Sequence, residues 1–197
     1  MNKSILTLTL CALSFQFLAQ TPDDTIERSS ALVDYDAFTN LVSKVENHRA
    51  ERLVTVEKFH EMSEEENTII LDTRSTEMYN AKHVKGAVHL NFSDFTQATL
   101  SSLIPDKTTR ILIYCNNNFA NDRIYFPSKG SRPIETKLEI TEFYDAGTGI
   151  SLALNIPTYI NLFGYGYENI YELKDLISVY DPVVKFEGSS VAPVFPQ

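Results

Sequence analysis

Arg110-Ile111-Leu112-Ile113-Tyr114-Cys115-Asn116-Asn117-Asn118-Phe119 is the stretch on which the reading of this chain turns. Ile111 to Tyr114 form a short, continuous run of strand-favouring residues, the pattern of a strand covered on both faces. The run stops at a cysteine, and a polar, turn-prone asparagine triplet follows. In an open α/β sheet, ligands bind just beyond the carboxyl ends of the strands. Cys115 therefore stands where such a fold keeps its chemistry.

Outward from this strand, the pattern alternates. Thr68-Ile69-Ile70-Leu71-Asp72 is a second apolar run, with Arg74 just past its end. Ser75 or Thr76 can cap a short helix through Tyr79, and His83 to Leu90 reads as a turn and a third strand. Thr96 to Leu103 suits a helix. Upstream, Phe38, Leu41, Val42 and Val45 fall at helical spacing behind Asp34 or Asp36, either of which can cap. Leu53-Val54-Thr55 suits a short strand, and Val56, Phe59 and Met62 give the next helix one apolar stripe. Strands alternating with helices predict an α/β domain with a mainly parallel sheet.

After Cys115 the rhythm breaks. Residues 121–149 are polar and punctuated by Pro127, Gly130, Pro133, Gly147 and Gly149. A hairpin with arms at 123–126 and 137–143 is expected there, and loops of this length are usually functional. Helical character returns over 150–163. Pro157 should open the main helix with Asn155 near the cap, and Gly164 and Gly166 should end it. Asn169 to Leu173 is the last expected strand, and the tail from Asp181 reads as irregular.

Charge and cysteine usage narrow the function. The 197 residues carry a net charge of −9 with no Lys/Arg run, which argues against nucleic acid or an anionic membrane as partner. Lys3, the apolar stretch Ile5 to Leu18 and the polar Thr21-Pro22-Asp23-Asp24 are laid out like a secretory signal peptide over residues 1–20. The apolar core is too short for a comfortable membrane span, so none is expected in the mature chain. Removal of that peptide would take Cys11 with it, along with Lys3, bringing the charge from −9 to −10. Cys115 would then be the sole thiol: a reactive group, an intermolecular link, or a small buried hydrophobe. The four histidines show no metal-ligand spacing and no metal or cofactor is expected.

Four segments in order resemble the rhodanese-like domain family over roughly residues 50–178. Ile69 to Arg74 resembles its strand ending in Asp-x-Arg. Glu77-Met78-Tyr79 followed by His83 to Leu90 resembles its turn and strand. Ile111 to Cys115 resembles the strand that delivers its cysteine, and Gly166 to Leu173 its closing strand. The resemblance implies a rhodanese-like α/β fold, a mostly parallel five-stranded sheet with helices on both faces. The expected organisation is a signal peptide (1–20), a leader and N-terminal helix (21–49), the domain (50–178, with 121–149 inserted after the active loop) and an irregular tail (179–197).

It also implies a function, that of a sulfurtransferase or persulfide carrier. Cys115 would take a sulfane sulfur from a small sulfur compound and pass it to a thiophilic acceptor, with no cofactor. Asn116, Asn117, Asn118, Phe119 and Ala120 would be the anion-binding loop, Asp72 and Arg74 its supports, with Arg74 expected to pair with Glu77. The nucleophile must be a thiolate, whereas a free cysteine has a pKa of ~8.5. Asparagine, which accepts left-handed backbone angles, would replace the family's loop glycine. The sequence departs from the family in two ways: no cation ends the loop, and the following helix comes only after 121–149. Arg123, Lys129 and Arg132 are the candidates to fold back. A non-catalytic binding module of the cell envelope is the alternative. A phosphatase-type Cys-x5-Arg site ranks last, because Asn121 stands where the arginine is required. The chain is expected to be exported, to the periplasm or beyond.

Overall fold

The computed structural model describes residues 29–131 and 150–191. The expected signal peptide, Arg132 and the hairpin arm at 137–143 lie outside the described residues. The described residues from Asp34 onward belong to one compact unit.

Its centre is a parallel sheet. Strands β1 (Leu53–Val54), β2 (Thr68–Asp72), β4 (Ala87–His89), β5 (Arg110–Tyr114) and β9 (Ile170–Leu173) lie in the order β1-β9-β5-β2-β4, every neighbouring pair parallel. The strand that ends at Cys115 is the middle one. That position explains its unbroken apolar run, since both of its faces are covered. Successive side chains alternate: Leu112 and Tyr114 go to one face with Ile70, Ile111 and Ile113 to the other with Leu71.

Helices cover both faces. On the first, α2 (Val56–Ser63) buries Val56, Phe59 and Met62 against Ile70, Leu112 and Leu173. On the second lie α1 (Tyr35–Ala50), α4 (Gln97–Leu103) and α5 (Asn155–Gly164), which contribute Val45, Leu100, Tyr159, Ile160 and Leu162. Helix α3 (Thr76–Ala81) links β2 to the short β3 (His83–Val84). The caps follow the sequence. Asp34, Thr55, Ser75 and Thr96 each accept a hydrogen bond from an amide of the first turn. Gly166, at φ 84°, closes α5: its N–H donates to Phe163 O and that of Tyr167 to Leu162 O, the paired bonds of a Schellman turn.

Several expectations need correcting. Residues 123–126 form a turn, with Phe126 N–H donating to Asp122 O, and not a hairpin arm. The hairpin stem of the insertion is instead β7 (Gly130–Ser131) against β8 (Ile150–Ser151), so the helical reading of 150–151 fails as well. Pro157 stands third in α5, not first; first-turn amides have no partner within the helix, so the missing N–H costs nothing there. The tail is more regular than its prolines suggest. After β6 (Phe119–Ala120) pairs in parallel with β10 (Ile177–Ser178), β11 (Phe186–Glu187) pairs antiparallel with β3.

Leu112 is fully buried in the central strand, whereas Leu176 is 66% exposed. Leu112→Ala should cost ~2–5 kcal/mol of stability, through lost transfer energy and the cavity left behind. Leu176→Ala should stay within about 0.5 kcal/mol of the parent. Urea unfolding followed by circular dichroism measures both.

Candidate functional site

The site grows from the ends of β2 and β5, which are adjacent in register, Asp72 facing Tyr114. Asp72 is fully buried and Arg74 is 2% exposed, and they form an ion pair at 2.7 Å. The Arg74 Nε–H also reaches both carboxylate oxygens at 3.0 Å. The expected Arg74–Glu77 pair is therefore wrong. Glu77 sits in the first turn of α3, while Asp72 stands at the strand end within reach of the guanidinium. Tyr114 Oη donates to Asp72 Oδ2 at 2.5 Å and accepts from the Val84 amide. Burial and the neighbouring Asp72 charge push the Tyr114 phenol well above its usual range, so it stays a donor.

Arg74 spends its remaining donors on loops. It donates to Lys82 O at 2.7 Å, Tyr125 O at 3.0 Å and Asn116 Oδ1 at 3.4 Å. Its guanidinium also lies over the Phe126 ring, 4.6 Å from the centroid. Burial opposes its charge, but the Asp72 hydrogen bonds and carboxylate outweigh that and raise its pKa. One cation thus ties α3's end, the 122–126 turn and the asparagine loop to the sheet.

The three asparagines are connectors. Residues 116–118 form a single 3-10 turn, and the left-handed angles expected within the triplet are absent. Asn121, at φ 70°, takes the left-handed conformation instead. Asn116 joins the loop to Arg74. Asn117 exchanges two 2.7 Å bonds with the backbone of Lys129, at the foot of the β7–β8 stem. Asn118 accepts from Cys115 N at 2.9 Å and Asn155 Nδ2 at 3.0 Å, and donates to Leu173 O at 2.8 Å. Phe119 and Ala120 leave the loop to become β6, where Phe119 packs among Tyr114, Phe126 and Phe186.

Cys115 Sγ lies between this loop and α5. The chain detours through the insertion, yet it returns so that the N-cap residue of α5, Leu154, donates its amide to Sγ at 3.2 Å. The thiol has no exposed surface. Burial raises its pKa; the Leu154 and Asn116 amides, then Lys129 and Arg74, pull it down without cancelling the effect. Of the cations expected to fold back, Lys129 is near enough to act on the sulfur, and Arg123 is exposed on the 122–126 turn. Among the described residues no cluster of His, Cys, Asp or Glu could hold a metal ion.

Leu154, Asn155 and Tyr114 complete the site and escaped the sequence reading. Tyr114 was legible only as the last apolar residue of a strand, and Leu154 acts through its backbone, which leaves no side-chain signature.

The fold is a parallel α/β sheet with a cysteine at the end of its central strand, facing a helix N-terminus. Residues 55–128, from the α2 cap to just past the asparagine loop, match the Rhodanese-like domain family model. The architecture is that rhodanese-like α/β fold, with α5 and β9 completing it beyond the matched span. No curated protein matches the chain. Likeness to solved structures is distant. The Alr3790 protein from Anabaena sp. is 18% identical, with 68% of this chain and 91% of that one covered at a TM-score of 0.41. A Rhodanese_3 like domain of the same Anabaena protein is 21% identical over 54% of this chain and 76% of that one, with a TM-score of 0.29. The BH2092 protein from Bacillus halodurans is 14% identical over 68% and 74%, with a TM-score of 0.33.

Two outcomes test this geometry. Asp72→Asn removes the anion and leaves a buried guanidinium unpaired, so it should cost ~3–5 kcal/mol in urea unfolding. The thiol makes the second. A buried thiol keeps its proton past the point where a free one has lost it. The pH midpoint for iodoacetamide alkylation of Cys115 should therefore lie higher in the folded protein than in the urea-unfolded chain; a lower midpoint would contradict the geometry.

Proposed function

We propose that this protein is a rhodanese-like sulfurtransferase or persulfide carrier in which Cys115 Sγ accepts and passes on a sulfane sulfur. The observation that supports it is the hydrogen bond from Leu154 N–H to Sγ at 3.2 Å. It aims the N-terminus of α5 at the sulfur, where the positive end of the helix dipole favours an anion. The family match over 55–128, which ends just after the loop, supports the same class of chemistry.

In this reading the Cys115 thiolate attacks the outer sulfur of a donor such as thiosulfate. A new S–S bond forms, the donor's S–S bond breaks, and sulfite leaves with the bonding pair. A thiophilic acceptor, cyanide or a thiolate, then attacks the outer sulfur and releases the Cys115 thiolate. A persulfide is a reversible cap on a reactive cysteine, so one thiol suffices and no cofactor enters. The amides of Leu154 and Asn116 and the charges of Lys129 and Arg74 all favour the anion. The protein is proposed to be exported by its N-terminal segment and to meet a small sulfur donor or thiol acceptor outside the cytoplasm.

One observation favours a second reading, that of a non-catalytic binding module. Cys115 is fully buried, and its loop is held by side-chain hydrogen bonds in which Asn116 accepts from Arg74 and Asn117 and Asn118 donate to backbone carbonyls. Incubation with thiosulfate or polysulfide, followed by intact-protein mass measurement, separates the two. The sulfurtransferase reading expects a gain of one sulfur atom that dithiothreitol removes and that Cys115→Ser abolishes. No gain with either donor, in protein whose Cys115 alkylates after unfolding, would favour the binding module.

A further inference from the structure

The tail of the chain is fastened to the end of α3 and to β3. The amides of Ser189 and Ser190 donate to Asn80 O and Ala81 O, both at 2.9 Å, meeting carbonyls that a helix end leaves open. Gly188, at φ 132°, permits this approach, since a Cβ there would meet Ala81 O at 2.5 Å. β11 places Glu187 opposite His83, and the Lys85 amide donates to Lys185 O at 2.8 Å. Phe186 of β11 packs on Phe119 and on Phe126, the ring beneath the Arg74 guanidinium.

His83 stands at the centre of this junction, 7% exposed. Its Nδ1 lies 2.6 Å from Tyr79 O and its Nε2 lies 3.3 Å from Glu187 Oε1. Tyr79 O is a backbone carbonyl and only accepts. Glu187 also accepts from the Gly86 N–H at 2.9 Å. That bond, then His83 and the Lys85 charge, hold its carboxyl below the ordinary range, so it too only accepts. A neutral imidazole has one N–H and serves one acceptor; its bare nitrogen would face the other lone pair to lone pair. Turning the ring over exchanges nitrogens for carbons and loses both contacts. Two N–H groups on His83 satisfy both. The last turn of α3 also favours a cation at that place.

The surrounding charges leave Glu187 as the anion in hydrogen-bond contact with His83 among the described residues. The Tyr79 ring stacks on His83 at 3.8 Å and also stacks with His89 at 4.6 Å. Asp72 acts on the Tyr79 phenol. Lys82 is paired with Asp122, and its ammonium lies over the Phe186 ring at 5.0 Å.

We infer that His83 is a proton-operated latch for the tail: doubly protonated it ties Glu187 of β11 to the end of α3, and loss of its proton lets β11 open. The sign follows from the contacts. The link is complete at low pH and is lost as pH rises, because the Glu187 contact turns from attraction to repulsion. Opening would also withdraw Phe186 from Phe119 and Phe126. The latch stands whether or not Cys115 carries sulfur.

Amide hydrogen exchange at about pH 5.5 and about pH 8.5, on either side of the ordinary histidine range, tests it. Each rate is divided by that of the unfolded chain to remove the base catalysis of exchange. Protection at Lys85, Ser189 and Ser190 should fall at least about threefold from the lower to the higher pH, as expected for loss of a charge-assisted, partly exposed bond. Ile111, whose amide donates to Asn169 O in the central sheet, should hold its protection. Glu187→Gln, whose amide can donate to or accept from Nε2, should keep the tail bound at both pH values and abolish the fall. His89→Gln should leave the fall intact, which separates His83 from the other histidine stacked on Tyr79. Nitrogen chemical shifts of the His83 ring should show two N–H groups at the lower pH and one at the higher. Equal protection at the two pH values in the parent, a fall undiminished in Glu187→Gln, or a bare ring nitrogen on His83 at the lower pH overturns the inference.

Discussion

A buried guanidinium imposes the main constraint on this structure. Arg74 sits at the carboxyl edge of the sheet with almost no access to water, so every one of its donors must find an acceptor. Asp72 neutralises the charge, and Tyr114 Oη adds a further donor to the same carboxylate. What remains of Arg74's bonding capacity reaches the backbone of Lys82 and Tyr125 and the side chain of Asn116. Loops that would otherwise wander are drawn to one point beside Cys115. A lysine could not do this, because its ammonium lacks the planar fork that serves several acceptors at once.

The asparagine triplet solves the second problem, holding a loop that contains no glycine. A glycine would let the backbone curl and aim its amides inward. Here the backbone takes an ordinary 3-10 turn, and the side-chain amides make the connections. Each amide is both donor and acceptor, so Asn117 can pair with Lys129 as a strand neighbour would, and Asn118 can bridge the loop, α5 and β9. The loop is stapled to three other parts of the fold. The same bonds that organise it close it over the sulfur, so order around Cys115 comes with burial and a raised thiol pKa. The insertion belongs to this arrangement. Its β7–β8 stem is anchored by Asn117 and leads straight into Leu154, the amide on the sulfur.

The central strand, the capped helices and the two-sided core were legible because they are local. Unbroken apolar runs, helical stripes such as Val56, Phe59 and Met62, and a capping residue ahead of each helix all express short-range geometry. Cys115 could be singled out because strand ends and thiols are visible one residue at a time. Asp72 and Arg74 were likewise visible as neighbours, but not the direction in which the guanidinium turns. The reading of the loop failed at the backbone. Asparagine tolerates left-handed angles, yet its side chain found partners that made them unnecessary in the triplet, and Asn121 took that conformation instead.

The sequence by itself therefore determined the parallel sheet, its central strand and the cysteine at its end, since these follow from hydrophobic patterning and turn chemistry read over a few residues. Tertiary structure alone decided what surrounds that cysteine. Leu154 lies 39 positions beyond Cys115 and donates through its backbone, and Asn155 faces Asn118 across a distance of 37 positions. Contacts between residues so far apart leave no periodicity to read; they exist only once the β7–β8 stem has brought α5 back to the end of the central strand.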